Sequence, residues 1–208
     1  MSESRRQPDP QQLLKRAIQG NDDSVGELLQ FYRPYLALLA RLKVDRLLQS
    51  KLSDSDLIQD TCLLAHRDFG DFRGTTEAEF TAWLREIMAH VSANHARDHR
   101  RQRRDVRLER QLYDLLNQSS KMMERALANS DSSPSDRAIR RERAVLLAEA
   151  LSQLPPDYSE VLVLRELEGK SLAEVAERMG RSPNAIQKLW ARALVELKRH
   201  MPKSREPS

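Results

Sequence analysis

The 208-residue chain is short of nearly everything that a sheet, a disulfide framework or a membrane span requires. Its one cysteine, Cys62, allows no disulfide within the chain and no cysteine-based zinc cluster. Glycine is scarce, with 6 residues, and β-branched runs are missing, which argues against a sheet. Aromatics make up only 5%, so any core is thin. The five histidines follow no metal-ligand spacing, and no metal or cofactor is expected. No apolar run reaches the length of a signal peptide or a membrane span, so a cytoplasmic protein without membrane contact is expected.

Charge and helix formers take up the composition instead. Asp, Glu, Lys and Arg account for 32%, and mean hydropathy is −0.67. Leu, Ala, Arg and Glu dominate, and all of them favour helices. An all-α, soluble chain follows. Net charge is +4 and the pI about 9.4, a modest pointer to nucleic acid whose weight depends on where the charge sits.

The pattern divides into two small helical domains on a flexible tether. Residues 1–10 read as a disordered tail with Pro8 and Pro10, and 11–112 as the first helical domain. Residues 113–136 contain NQSS and NSDSSPSD, a linker composition. Residues 137–201 form the second helical domain, and 202–208 a frayed tail.

The second domain ends in a helix-turn-helix that binds duplex DNA. Ser171 is a good N-cap, and Glu174 three residues later completes a capping box. Gly180 sits where the first helix must end in a left-handed conformation. Ser182 then caps a second helix with Pro183 at its first position. Ala176, Gly180, Ile186 and Leu189 supply the small contact, the turn and the two apolar locks of this motif. Asn184, Ala185, Gln187, Lys188 and Arg192 are left facing outward, where such a helix enters the major groove. Asn and Gln can pair with adenine, and Arg or Lys with guanine or phosphate. A plain helical hairpin with a solvated face explains these signals less well. Two amphipathic helices upstream, 144–154 and 158–167, are separated by Pro155 and Pro156 and complete a four-helix core.

The first domain carries two further faces. On a helical wheel of roughly 100° per residue, 53–67 sorts into two sides. Leu57, Ile58, Thr61, Cys62 and Ala65 share one side, where Cys62 serves as a small apolar filler. Asp56, Gln59, Asp60 and Leu63 share the other. An acidic face is commonly just solvated, but Leu63 in its midst hints at a protein-binding surface. The next helix runs from about Glu77 past Arg101, with Phe80, Trp83, Leu84, Ile87 and Val91 on one face. Trp83 reads as core rather than as a base platform. Beyond it, HARDHRRQRRDVRLER holds seven arginines against three acids, which favours phosphate contact over a merely solvated face. Between the two helices, Phe69 and Phe72 sit beside Gly70 and Gly74. These aromatics can pack down as anchors or receive an unstacked base, and the residues alone leave both open.

The arrangement resembles the extracytoplasmic-function (ECF) group of bacterial RNA polymerase sigma factors, over about 13–200. DLIQDTCLLAHRDF resembles that family's polymerase-binding helix. FTAWLREI with the Arg-rich run resembles its promoter-melting and minus-ten segment. LSQLPPDYSEVLVLRELEGKSLAEVAERMGRS resembles its minus-thirty-five-binding domain. The resemblance implies a non-enzymatic factor that binds core RNA polymerase and directs initiation at promoter DNA. It implies that Asp56, Gln59, Asp60 and Leu63 meet the coiled coil of the polymerase clamp. It implies that 69–79, with Phe72, captures a flipped minus-ten base, while His90, Asn94, Arg97, Arg101 and Arg104 lie along the minus-ten element. Arg181, Ser182, Asn184, Ala185, Gln187, Lys188 and Arg192 would read or grip the minus-thirty-five element. An anti-sigma partner fits the family, although no residue identifies one. The chain departs from the family at His90, often Asn, at Asn94, often Asp, and at 186–189, which read Ile-Gln-Lys-Leu rather than Val-Lys-Ser-Arg. A helix-turn-helix regulator acting without polymerase explains 171–199 but not the face at Asp56 and Asp60. An adaptor or antagonist without promoter function leaves the Arg-rich run unexplained, and RNA binding has no aromatic platform behind it.

Overall fold

The computed structural model describes residues 9–44, 53–100, 106–126 and 134–201; for 43, 44, 97–100 and 134–142 it describes the backbone only. Every regular element among them is helical. The chain divides into two compact units, Met1–Asn117 and Gln118–Ser208.

The first unit opens with α1 (Pro10–Ile18), which Asp9 caps by accepting the Gln11 N–H at 3.0 Å. Pro10 stands at its first position, where the missing N–H has no cost. Gly20, at φ +91°, turns the chain into α2 (Asp22–Leu39). Asn21 caps that helix through the Ser24 N–H at 2.8 Å, and a π-helical turn, Ala40–Val44, follows it. Next come α3 (Asp54–Arg67), a short 3₁₀ turn (Phe69–Asp71) and α4 (Glu77–Arg100). Helices α1 and α3 pack on α2, and α4 packs on α3 and α1. Leu14, Leu28, Tyr32, Leu36, Leu39, Phe80, Leu84 and Met88 are fully buried at their junction. Each such side chain contributes about 1.5–3 kcal/mol of transfer free energy.

Helix α5 (Val106–Ala126) runs through the first part of the expected linker. Within the stretch 113–136 expected as a linker, 113–126 are helical and Pro134 begins α6, while 127–133 lie outside the described residues. Asn, Gln and Ser in this stretch are residues of turns by type, but the burial period overrides type. Leu112, Leu116, Ser119 and Met123 recur at helical spacing and are all fully buried. In the first unit, Arg85 Nε donates to Asn117 Oδ1 at 2.7 Å and holds α5 to α4.

The second unit contains α6 (Pro134–Ser152), α7 (Pro156–Leu162) with a π-helical turn (Val163–Leu167), α8 (Leu172–Met179) and α9 (Pro183–His200). Helix α9 packs on α6, α7 and α8, as the expected four-helix core requires. Val145, Ala148, Leu151, Val161, Leu164, Val175, Ile186 and Ala193 are buried in it. No helix among the described residues is long and apolar enough to cross a membrane.

Candidate nucleic-acid interface

The helix-turn-helix of the second unit forms from local chemistry at each joint. Ser171 Oγ accepts the Glu174 N–H at 3.3 Å, and Glu174 Oε2 accepts the Ser171 N–H at 2.8 Å and its hydroxyl at 2.6 Å. The Ser171 hydroxyl, then its backbone N–H, hold the Glu174 carboxyl below the usual carboxylate range. Helix α8 ends at Gly180 with φ 62° and ψ 35°, where a side chain would strain the backbone. The Arg181 N–H then returns to Ala176 O at 3.0 Å, satisfying a carbonyl at the helix end. Ser182 caps α9 through the Ala185 N–H at 3.3 Å.

Helix α9 turns Ile186 and Ala193 fully inward and leaves Leu189, Trp190, Leu194 and Leu197 half-buried. Trp190 Nε1 donates to Glu166 Oε1 at 2.8 Å, fixing α9 to the end of α7. Asn184, Ala185, Gln187, Lys188 and Arg192 are all exposed. Spaced i, i+3, i+4 and i+8, Asn184, Gln187, Lys188 and Arg192 share one side, opposite Ile186 and Ala193. Ser182 is exposed at the helix start, but its hydroxyl is engaged as the cap. Arg181 is exposed and ion-paired with Asp157 across the turn.

In the first unit, α3 buries most of one predicted side. Leu57, Ile58, Thr61 and Ala65 are buried, and the Thr61 hydroxyl is satisfied by Leu57 O at 2.7 Å. Cys62 is half-buried; burial pushes its thiol up, against a smaller opposing effect of Arg33. Asp56 and Gln59 are exposed, and Leu63 is 61% exposed, a large apolar side chain on an otherwise polar surface. Asp60 differs from the other three. It is half-buried, and its Oδ2 lies 2.8 Å from His95 Nε2 of α4. His95 of α4 therefore meets this face, a contact outside the helical wheel of α3. The two residues are 35 apart, and no single-helix period could connect them.

The aromatics of the intervening loop lie against α4. Phe72 packs tilted against Trp83 at 5.2 Å between ring centroids and meets Phe80 edge-on at 5.6 Å. Phe69 meets Phe80 and Trp83 at 6.3 and 6.1 Å. Both rings pack down, half-buried, on a wall that continues through Phe80 to Tyr32. The polar residues Arg73, Thr75 and Thr76 are exposed on the loop.

Further along α4, His90 Nδ1 lies 3.2 Å from Glu109 Oε1 of α5. Asn94 is half-buried, and its Oδ1 has no hydrogen-bond partner among the described residues. Arg97 lies on α4, but its side chain is outside the described residues, as Arg101 and Arg104 are altogether. Among the described residues, no three His, Cys, Asp or Glu side chains gather as a metal site.

The two units coincide with two family matches. Residues 31–102 match sigma-70 region 2, and 144–197 match sigma-70 region 4. The ECF RNA polymerase sigma factor BldN of Streptomyces coelicolor is 30% identical over 191 residues, which cover 92% of this chain and 65% of that protein. The chain thus spans about two thirds of the length of BldN. The ECF RNA polymerase sigma factor SigD of Mycobacterium tuberculosis is 29% identical, over 89% of this chain and 81% of its own. The RNA polymerase sigma factor YlaC of Bacillus subtilis is 31% identical, over 88% of this chain and 95% of its own. With region 2 and region 4 each on its own helical unit, the chain belongs to the ECF group of the RNA polymerase sigma-factor family.

Proposed function

We propose that the chain joins core RNA polymerase and directs initiation at promoters defined by a minus-ten and a minus-thirty-five element. The observation that carries this reading is the coexistence of two unlike surfaces. One is an acidic and apolar helix face on the region 2 unit, and the other an exposed polar recognition face on the region 4 unit. A DNA-binding regulator needs only the second.

In this reading 11–112 is the polymerase and minus-ten domain and 137–201 the minus-thirty-five domain. Asp56, Gln59 and Leu63 of α3 meet the clamp coiled coil of core polymerase, and Asp60 joins them while held by His95. An exposed apolar residue one turn beyond Asp60 and Gln59 suits a partner helix with a basic flank. Helix α4, with His90, Asn94 and Arg97, and the run through Arg101 and Arg104, lie along the minus-ten element. The loop at 69–79 receives an unstacked base. Because Phe72 is committed to Trp83, its role is to support the loop while Arg73, Thr75 and Thr76 face the DNA. Unstacking costs a few kcal/mol, which contacts to the extruded base must offset. Asn184, Gln187, Lys188 and Arg192 enter the major groove of the minus-thirty-five element, and Ala185 offers an apolar contact to a thymine methyl. Arg181 and Ser182 stand at the start of the same helix, next to the phosphates. Nothing in this sequence of events makes or breaks a covalent bond on the chain. It acts where polymerase and chromosome are, in the cytoplasm. An anti-sigma partner would have to cover one of these same faces.

The test is co-elution with core polymerase in gel filtration. The wild-type chain is expected to elute with core, and the Asp56→Lys, Asp60→Lys double variant to elute alone with its helical circular dichroism intact. A wild-type chain that never co-elutes with core, or a double variant that binds as well as wild type, contradicts the assignment of this face.

A further inference from the structure

The loop that joins α3 to α4 is held by three constraints that converge on 72–76. The first is the packing of the Phe72 ring against Trp83 and Phe80. The second is a demand for space at Gly74. A Cβ there would lie 2.5 Å from Phe72 Cζ and 2.7 Å from Glu79 Cβ. The ring cannot retreat, because Trp83 and Phe80 back it, and the Glu79 Cβ is fixed to the helix backbone. Gly74 is not among the glycines with positive φ, so it is needed for its missing side chain rather than for backbone freedom. The third constraint is Glu79 itself. Its Oε2 accepts the Thr75 N–H at 2.8 Å, the Thr76 N–H at 3.0 Å and the Thr76 hydroxyl at 2.9 Å, and Thr76 Oγ1 accepts the Glu79 N–H at 3.2 Å. These hydrogen bonds, the Thr75 N–H foremost, hold the carboxyl below its usual range, so it is ionised and acts as an acceptor only.

Gly74 and Glu79 bury no large apolar surface of their own. Their shared effect is to give an exposed polar loop one conformation. A loop that had to order five backbone residues around an extruded base would lose much of what stacking that base returns. We propose that Gly74 and Glu79 are positioning residues for base capture: they preform 72–76 before DNA arrives, so that the unstacked minus-ten base meets a ready surface. The proposal rests on the base-capturing role given to this loop above.

The test uses the full chain in complex with core polymerase. The probes are single-stranded oligonucleotides carrying the non-template minus-ten strand of a promoter selected from a randomised library. Each position is made abasic in turn. In the wild type, one abasic position should weaken binding about tenfold, the scale of one stacked base. Gly74→Ala and Glu79→Ala should lose about that tenfold on the intact strand and become indifferent to the abasic position, with core affinity unchanged. Glu79→Gln keeps an acceptor oxygen for the two threonine N–H groups and should restore the wild-type profile. A Gly74→Ala or Glu79→Ala complex with a wild-type abasic profile overturns the proposal. So does equal behaviour of Glu79→Ala and Glu79→Gln, which decides the matter even if Gly74→Ala fails to fold. A wild-type complex that initiates transcription yet has no base-sensitive position overturns the base-capture reading itself, and this proposal with it.

Discussion

Arg192 and Arg181 lie on the same exposed flank of the helix-turn-helix but differ in what they can give to DNA. Arg181 is already engaged by Asp157, whereas Arg192 is exposed one turn beyond Lys188. Replacing Arg192 with alanine should therefore weaken minus-thirty-five binding by about 1–3 kcal/mol if it reads a base, with discrimination relaxed at one position. Titration of region 4 promoter variants by fluorescence anisotropy measures this. A loss of equal size on every sequence, with a smaller salt slope, would make Arg192 a phosphate contact instead. The residue scale is also where the sequence was least legible. Wheel geometry put Asp56, Gln59, Asp60 and Leu63 on one footing, because a wheel knows only its own helix. The structure ties Asp60 to His95, a tertiary contact that no period announces. Phe72 was ambiguous for the same reason: its destination depends on where Phe80 and Trp83 stand after α4 has packed.

At the scale of elements, α8 and α9 were readable almost to the residue. Each of their signals is local to one helix end: a capping box at Ser171 and Glu174, a left-handed Gly180, and Ser182 with Pro183. Such signals survive without knowledge of the rest of the fold. Helix α5 was hidden because its serines and asparagine were weighed by type, while the burial of Leu112, Leu116 and Met123 decided the outcome. The capping box also makes a prediction about pH. The Glu174 carboxyl is held below the ordinary glutamate value of 4.5, with the Ser171 hydroxyl the largest cause. A depressed folded-state pKa contributes stability that is fully present above the unfolded value and is lost as pH falls through the folded one. The stability difference between wild type and Glu174→Ala should accordingly be full at pH 7 and shrink below about pH 4.5. Thermal melts of both chains from pH 7 to pH 3 follow it. A difference that stays constant across that range would mean that the carboxylate form contributes nothing to the cap.

For the whole molecule, the two-part organisation was evident in the sequence, since the helix-turn-helix and the Arg-rich helix lie far apart with a polar stretch between them. The structure forms two compact units that meet in sequence at Asn117 and Gln118. Membership of the sigma-factor family rests on the region 2 and region 4 matches, one in each unit, and on relatives such as YlaC. In the proposed function, promoter choice is set by the outward side chains of α9 and of the loop before α4. Transcription by core polymerase from a library with both promoter elements randomised therefore tests the central claim most directly. The account predicts transcripts that require the chain, arise from templates sharing two enriched elements at one fixed spacing, and vanish with Asp56→Lys, Asp60→Lys. Transcript levels no higher than those of core polymerase alone, from a chain that still binds DNA, would contradict it.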